Sequence, residues 1–142
     1  MHAKPTDAEL EILHVLWARG ACTVRQVNEA LNATLAQEER RNSGEVGYTT
    51  TLKIMQIMAE KGLLARDERE RTHIYKAAIA EDDVQKAAIG KLVDSVFRGS
   101  AMNLAMRALG ARKLSRDELT QIRALLDEEL KRENGDKTDE IE

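Results

Sequence analysis

The chain has 142 residues, 33% charged, 42% apolar and only 3% aromatic, with a formal net charge of −3. That length allows one domain or two very small ones, and the balance excludes a disordered chain. No run approaches the ~18 consecutive apolar residues of a membrane span. The start, MHAKPTDAELEIL, lacks the apolar core of a signal peptide, and the single cysteine, Cys22, can form no internal disulfide. These features fit a reducing cytoplasm and no membrane insertion. With few aromatics, the cores must be built from Leu, Ile, Val, Met and Ala. One proline, eight glycines and many helix formers predict a mostly helical chain.

Thr6 followed by Glu9, ahead of an apolar run, is a capping box. The helix it opens carries Leu10, Leu13, Leu16 and Trp17 on one face and should end near Gly20. Cys22, Thr23 and Val24 read as a brief extended piece. Thr23 and Gln26 form a second capping box, starting a helix with Val27, Ala30 and Leu31 inward. Residues 32–46, NATLAQEERRNSGEV, lose apolar periodicity. Either this second helix runs on to about residue 39, or the stretch is a long loop; 40–44 should be a mobile loop in both cases.

A third helix is expected to be capped by Thr49 or its neighbour. Thr51, Ile54, Met55 and Met58 recur at helical spacing and face inward, leaving Thr50, Leu52, Lys53, Gln56 and Ile57 outside. Gly62 should end it in the left-handed C-terminal position. Residues 63–67 and 72–77 read as two strands joined by a charged tip at 68–71. A helix followed at once by a charged two-stranded ribbon is the DNA-reading half of a winged helix-turn-helix: the helix fits the major groove and the ribbon tip reaches the backbone.

After Ala80 the pattern is helical throughout. A helix over 81–97 has Val84, Ala88, Leu92 and Val96 on a stripe, and Arg98, Gly99 and Ser100 break it. A short apolar helix over 101–109, with Leu104 and Leu109, stops at Gly110. Ser115 and Glu118 make a third capping box, opening a helix with Leu119, Ile122, Leu126 and Leu130 on one face. Residues 134–142, NGDKTDEIE, read as a charged, disordered tail. Helices of this size have too little core to stand alone. Their stripes, from Val84 and Ala88 to Leu126, predict a two-fold dimer through this segment; the alternative is a monomer whose segment folds back on the winged domain.

The expected fold class is therefore mainly α with a small β-wing: a winged helix-turn-helix over 1–80, a helical dimerisation domain over 81–133, and the tail. Residues 1–80 hold eleven Lys/Arg and eleven Asp/Glu, and 81–142 eleven and fourteen, so the acid excess lies in the second half. A neutral domain can bind DNA if its basic groups cluster on one face, with modest non-specific affinity.

Lys53 and Gln56 lie three apart on one helical face. Gln can pair adenine on two edges, and Lys can reach guanine acceptors or a phosphate. Thr49 and Thr50 place hydroxyls at a helix start, where backbone N–H groups favour a phosphate. An exposed Leu52 could pack on a thymine methyl. Arg69 and Arg71 at the wing tip are backbone or minor-groove candidates, and Arg25 is a candidate phosphate clamp. Each has a plainer reading as solvated surface; their conjunction carries the DNA reading. His2, His14 and His73 have no ligand-spaced partners, Cys22 reads as a small core residue, and no phosphate loop or catalytic constellation stands out. Neither enzymatic activity nor a cofactor or metal is expected.

PTDAELEILHVLWARGACTVRQVNEAL followed by GYTTTLKIMQIMAEKGLLARDERERTHIYKA resembles the penicillinase-repressor family, the BlaI/MecI/CopY group of bacterial transcriptional repressors. The resemblance implies a homodimer, an N-terminal winged helix, a helical dimerisation domain, and a palindromic operator of TACA/TGTA type. By position it makes Thr49, Thr50, Leu52, Lys53 and Gln56 the reading face, with Arg69 and Arg71 on the wing. Three places depart from the family pattern. The link over 37–45 is longer. Antibiotic-responsive members are cut by a regulatory membrane metalloprotease at an Asn-Phe bond, and the matching Ser100 and Ala101 do not agree. The copper-responsive branch carries Cys-x-Cys pairs, and no cysteine follows Cys22. The sequence thus predicts a dimeric repressor on a palindromic operator. The alternatives are a winged-helix protein-interaction module and a small-molecule-responsive repressor of the multidrug-response type.

Overall fold

A computed structural model of the protein describes residues 4–38 and 44–141, with side chains as far as Gly135. The loop expected over 40–44 lies outside the described residues except for Gly44. The chain divides into two compact units, Met1–Ala88 and Ile89–Glu142. The first holds α1 (Asp7–Arg19), α2 (Val24–Glu38), α3 (Tyr48–Glu60), β1 (Leu64–Asp67) and β2 (Ile74–Ala77). The helix α4 (Glu81–Ser95) crosses the division, and α5 (Ala101–Ala111) and α6 (Arg116–Ile141) follow.

The capping boxes start their helices as read. The Thr6 hydroxyl accepts from Glu9 N at 3.2 Å, and Glu9 Oε1 accepts from Thr6 N at 2.9 Å. Thr23 and Gln26 repeat the exchange at 3.2 and 2.9 Å. α1 ends at Gly20, whose N–H still bonds the Leu16 carbonyl and whose φ of 85° then turns the chain out of the helix. The open question at 32–38 resolves as helix. Leu31 and Leu35 are half-buried on the side begun by Val27, so α2 keeps an apolar side through its polar stretch.

α3 starts one residue before Thr49. Its N-cap is Gly47, in an extended conformation and offering no side-chain cap hydrogen bond. The threonine expected as cap lies within the first turn instead, because the chain has already turned at Gly47. The end of α3 is a Schellman motif: Gly62, at φ 84°, donates to the Ala59 carbonyl and Leu63 N donates to that of Met58. Leu63 is spent on that motif and is fully buried, so β1 begins one residue later than expected and β2 two residues later.

The two strands pair antiparallel, with Leu64 opposite Ala77 and Arg66 opposite Tyr75. A one-residue third rung joins them: Cys22 N donates to the Tyr75 carbonyl at 2.9 Å and Tyr75 N to that of Cys22 at 2.8 Å. Ile12, Leu13, Leu16, Val24, Val27, Met55, Met58, Leu63, Leu64 and Tyr75 form one core beneath this frame. Cys22 is part of it. Trp17 packs at the margin and donates its indole N–H to the Ile79 carbonyl at 2.9 Å, fixing the chain where it leaves the wing. Glu9 is buried as well, at 3% exposure, and its Oε2 meets Lys61 Nζ at 2.9 Å, so α1 and the end of α3 share an ion pair. Burial pushes its pKa up, but the Thr6 backbone bond and Lys61 outweigh this and hold it below the usual carboxylate range.

In the second unit, Arg98 (φ 53°) and Gly99 (φ 86°) turn the chain out of α4, and the Ser100 hydroxyl caps α5 by accepting from Asn103 N at 3.1 Å. Ser115 and Glu118 cap α6 reciprocally at 3.0 and 2.9 Å. α6 extends through the stretch expected to be a disordered tail. No proline interrupts it, and an i,i+3 pair of Arg132 with Glu129 at 3.0 Å precedes that stretch on the helix surface. Among the described residues no side chain of α4, α5 or α6 is buried. Large apolar side chains lie open instead, Val96 at 64% and Met102 at 70% exposure among them.

Candidate nucleic-acid interface

The inward face of α3 is fixed by the core: Met55 and Met58 are fully buried, and so is Thr51. Helical spacing then leaves Thr49, Thr50, Lys53 and Gln56 on the solvent side, all exposed. Leu52 departs from expectation. It is half-buried and packs against the core, so it is not the exposed leucine the spacing implied. The helix period puts it on the border of the inward face. Ile57, by contrast, is open at 39% exposure.

Gly47 supplies no side-chain acceptor to the first turn of α3, where Thr49 and Thr50 place exposed hydroxyls. Such groups, with the positive end of the helix dipole, suit a phosphate oxygen. Arg25, near the start of α2, stands at this same corner. Its guanidinium lies 5.7 Å from the centre of the Tyr48 ring, a cation–π arrangement. Tyr48, at 46% exposure, was absent from the sequence candidates. Its signal was its place immediately after Gly47, at the first helical position.

The wing carries three arginines in three states. Arg69 is engaged by Asp67, whose Oδ2 lies 2.7 Å from Arg69 Nη2 and whose Oδ1 also accepts the Arg69 backbone N–H at 3.0 Å. The Arg69 side chain, and then its backbone N–H, hold the Asp67 carboxyl down at about 2. Arg66, missed in the sequence, lies opposite Tyr75 across the ladder and pairs with Glu68; the Tyr75 side chain, more than Glu68, raises its pKa. Arg71 is exposed and forms no ion pair among the described residues. Between α3 and β1 lies a shallow cleft of about 520 Å³ lined by Gln56, Ala59, Glu60, Leu64, Arg66 and Glu68. It separates the helix from the wing.

The structure thus brings Arg25, Tyr48, Thr49 and Thr50 to one corner and extends the exposed strip of α3 through Lys53 and Gln56. The wing arginines follow on the ribbon. The apolar candidates of the second segment divide: Val84, Leu104 and Ile122 are half-buried, while Ala88, Leu92, Val96, Leu109, Leu119 and Leu126 are exposed. Ser100, as N-cap, and Ala101, as first residue, lie at the start of α5. Among the described residues no cluster of His, Cys, Asp or Glu could hold a metal ion, and no helix is long and apolar enough to cross a membrane.

The model of the penicillinase repressor family matches residues 5–128. A curated relative, "Transcriptional regulator BlaI" of Mycobacterium tuberculosis, is 31% identical over 86% of this chain and 82% of its own length. "Penicillinase repressor" of Bacillus licheniformis is 22% identical over 89% and 92%, and "Methicillin resistance regulatory protein MecI" of Mammaliicoccus sciuri 20% over 85% and 91%. The solved DNA-binding domain of the repressor BlaI is similar at a TM-score of 0.45 and 25% identity, over 58% of this chain and 93% of that one.

Proposed function

This chain belongs to the penicillinase repressor family, and on that premise we propose that it is a DNA-binding transcriptional repressor that acts as a homodimer on a palindromic operator. The observation that carries the reading is the exposed strip of α3: an uncapped N-terminus with Thr49 and Thr50, then Lys53 and Gln56, with Arg25 beside it. The strip offers phosphate contacts at one end and base-pairing groups further along, which is how a helix lying in the major groove divides its work. Its hydroxyl, amide and ammonium groups suit DNA better than the apolar or acidic strip a protein-binding module would present.

Dimerisation is supported by the open apolar side chains of α4, α5 and α6. The same segment of a second copy would cover them with two-fold symmetry and set the two α3 helices about one helical turn, ~34 Å, apart on the duplex. Repression follows from occupying the promoter. The test is a fluorescence-anisotropy titration of the full chain against a labelled TACA/TGTA palindrome and a scrambled control at two salt concentrations. Tight, salt-sensitive binding to the palindrome alone is expected. Equal, weak binding to both duplexes would count against this operator and direct a random-sequence selection.

A further inference from the structure

An asparagine side chain carries one carbonyl acceptor and two N–H donors, enough to bond both the backbone N–H and the C=O of a single residue. Asn32, on α2, does this to Val46: its Oδ1 accepts from Val46 N at 2.7 Å and its Nδ2 donates to the Val46 carbonyl at 3.1 Å. Asn28 lies one turn earlier on the same face of α2. Its Nδ2 donates to that carbonyl and to the Thr51 hydroxyl oxygen, both at 2.9 Å. Asn32 Nδ2 also reaches Asn28 Oδ1 at 3.4 Å, and the Thr51 hydroxyl donates to the Gly47 carbonyl at 3.4 Å. Thr51 is fully buried, and among the described residues no buried side-chain polar atom lacks a partner.

The two asparagines therefore fix the residue just before the Gly47 cap and the first turn of α3 at once. They stand in for the side-chain cap that Gly47 does not offer. Thr49 and Thr50 lie between the two anchored points, Val46 and Thr51. A binding constellation loses its fit when displaced by more than about 0.5 Å or 10–20°.

We propose that Asn28 and Asn32 are positioning residues for operator reading: through Val46 and Thr51 they fix where α3 begins, and with it the register in which Thr49, Thr50, Lys53 and Gln56 meet the duplex. This deepens the repressor reading and rests on it. Loosening the clasp should weaken binding to both duplexes through Thr49 and Thr50 at the helix start, and weaken the palindrome more, because base contacts carry the sequence information and phosphate contacts do not.

The experiment uses the full chain and two readouts. The first, without DNA, is amide exchange at Val46 by NMR. The second is the ratio of affinities for palindrome and scrambled duplex. Asn32→Ala should speed Val46 exchange at least about tenfold by opening the site locally and lower the ratio about tenfold, the palindrome losing more affinity than the scrambled duplex. Thr51→Ser, which keeps the hydroxyl, should match the wild type, whereas Thr51→Val, of the same shape, should lower the ratio. If Asn32→Ala fails to fold, Asn32→Asp serves; it keeps the acceptor for Val46 N and loses both donors. Faster exchange with an unchanged ratio overturns the positioning role, and unchanged exchange overturns the clasp itself. A wild-type chain with no preference for the palindrome overturns the operator reading and the positioning claim with it, while the exchange rates still judge the clasp.

Discussion

Glu9 illustrates how one residue can serve two structures. Its backbone and one carboxylate oxygen complete the cap of α1, while the other oxygen holds Lys61 at the end of α3. Glu9→Gln keeps the shape and the cap but removes the charge. Because Lys61 is 39% exposed the ion pair is partly screened, and the loss should be about 1–2 kcal/mol in urea unfolding at neutral pH. The pH dependence has a definite sign. The folded-state pKa lies below the usual 4.5, so the contribution is complete above that value and is lost as pH falls through the folded pKa. The gap between wild type and variant should therefore close on acidification, and a gap that persists under acid would assign the effect to packing. Lys53→Ala and Gln56→Ala should each cost about 1–3 kcal/mol of operator binding if each reads a base. Unchanged anisotropy curves for both would remove them from the reading face.

At the scale of elements, the wing is less available than its arginines suggest. Asp67 is held at about 2, so it remains a carboxylate at any ordinary pH and pairs with Arg69 at the surface, where the arginine side chain is 89% exposed and a phosphate can compete for it. Asp67→Asn should release Arg69 and steepen the log–log salt dependence of DNA binding by about 0.9 if Arg69 then meets a phosphate; an unchanged slope would mean that the tip stays clear of the backbone. Helices, caps and wing were legible in the sequence because capping boxes and Gly62 act locally, within three or four residues. What stayed hidden depended on long-range partners. The continuation of α2 rests on Leu31 packing against the core with Leu35 half-buried one turn on, and the start of α3 on Asn28 and Asn32 reaching across to Val46. Leu52 was misjudged because a helix-border position is decided by the neighbouring elements rather than by its own period. Arg66 and Tyr48 face partners, Tyr75 and Arg25, that only the folded chain brings near.

At the scale of the molecule, the two units differ in how they hide apolar surface. The first closes around its own core, whereas α4 to α6 leave Leu92, Val96, Met106 and Leu126 open. Leu92→Asp or Leu126→Asp should shift sedimentation from dimer to monomer while leaving the unfolding of the first unit in place. A chain ending at Ala88 should bind one half-site at a time and lose the coupling of two linked sites, commonly a factor of about 10²–10⁴. Truncated protein binding as tightly as the full chain would remove dimerisation from the mechanism. Trp17 adds a practical consequence. It is the one tryptophan of the chain, and its indole N–H is bonded to Ile79, where the chain departs toward α4. Its emission is thus a built-in, label-free gauge of that junction: a shift in wavelength when duplex is added would report a disturbance at the neck of the first unit, some distance in sequence from every residue expected to touch the DNA.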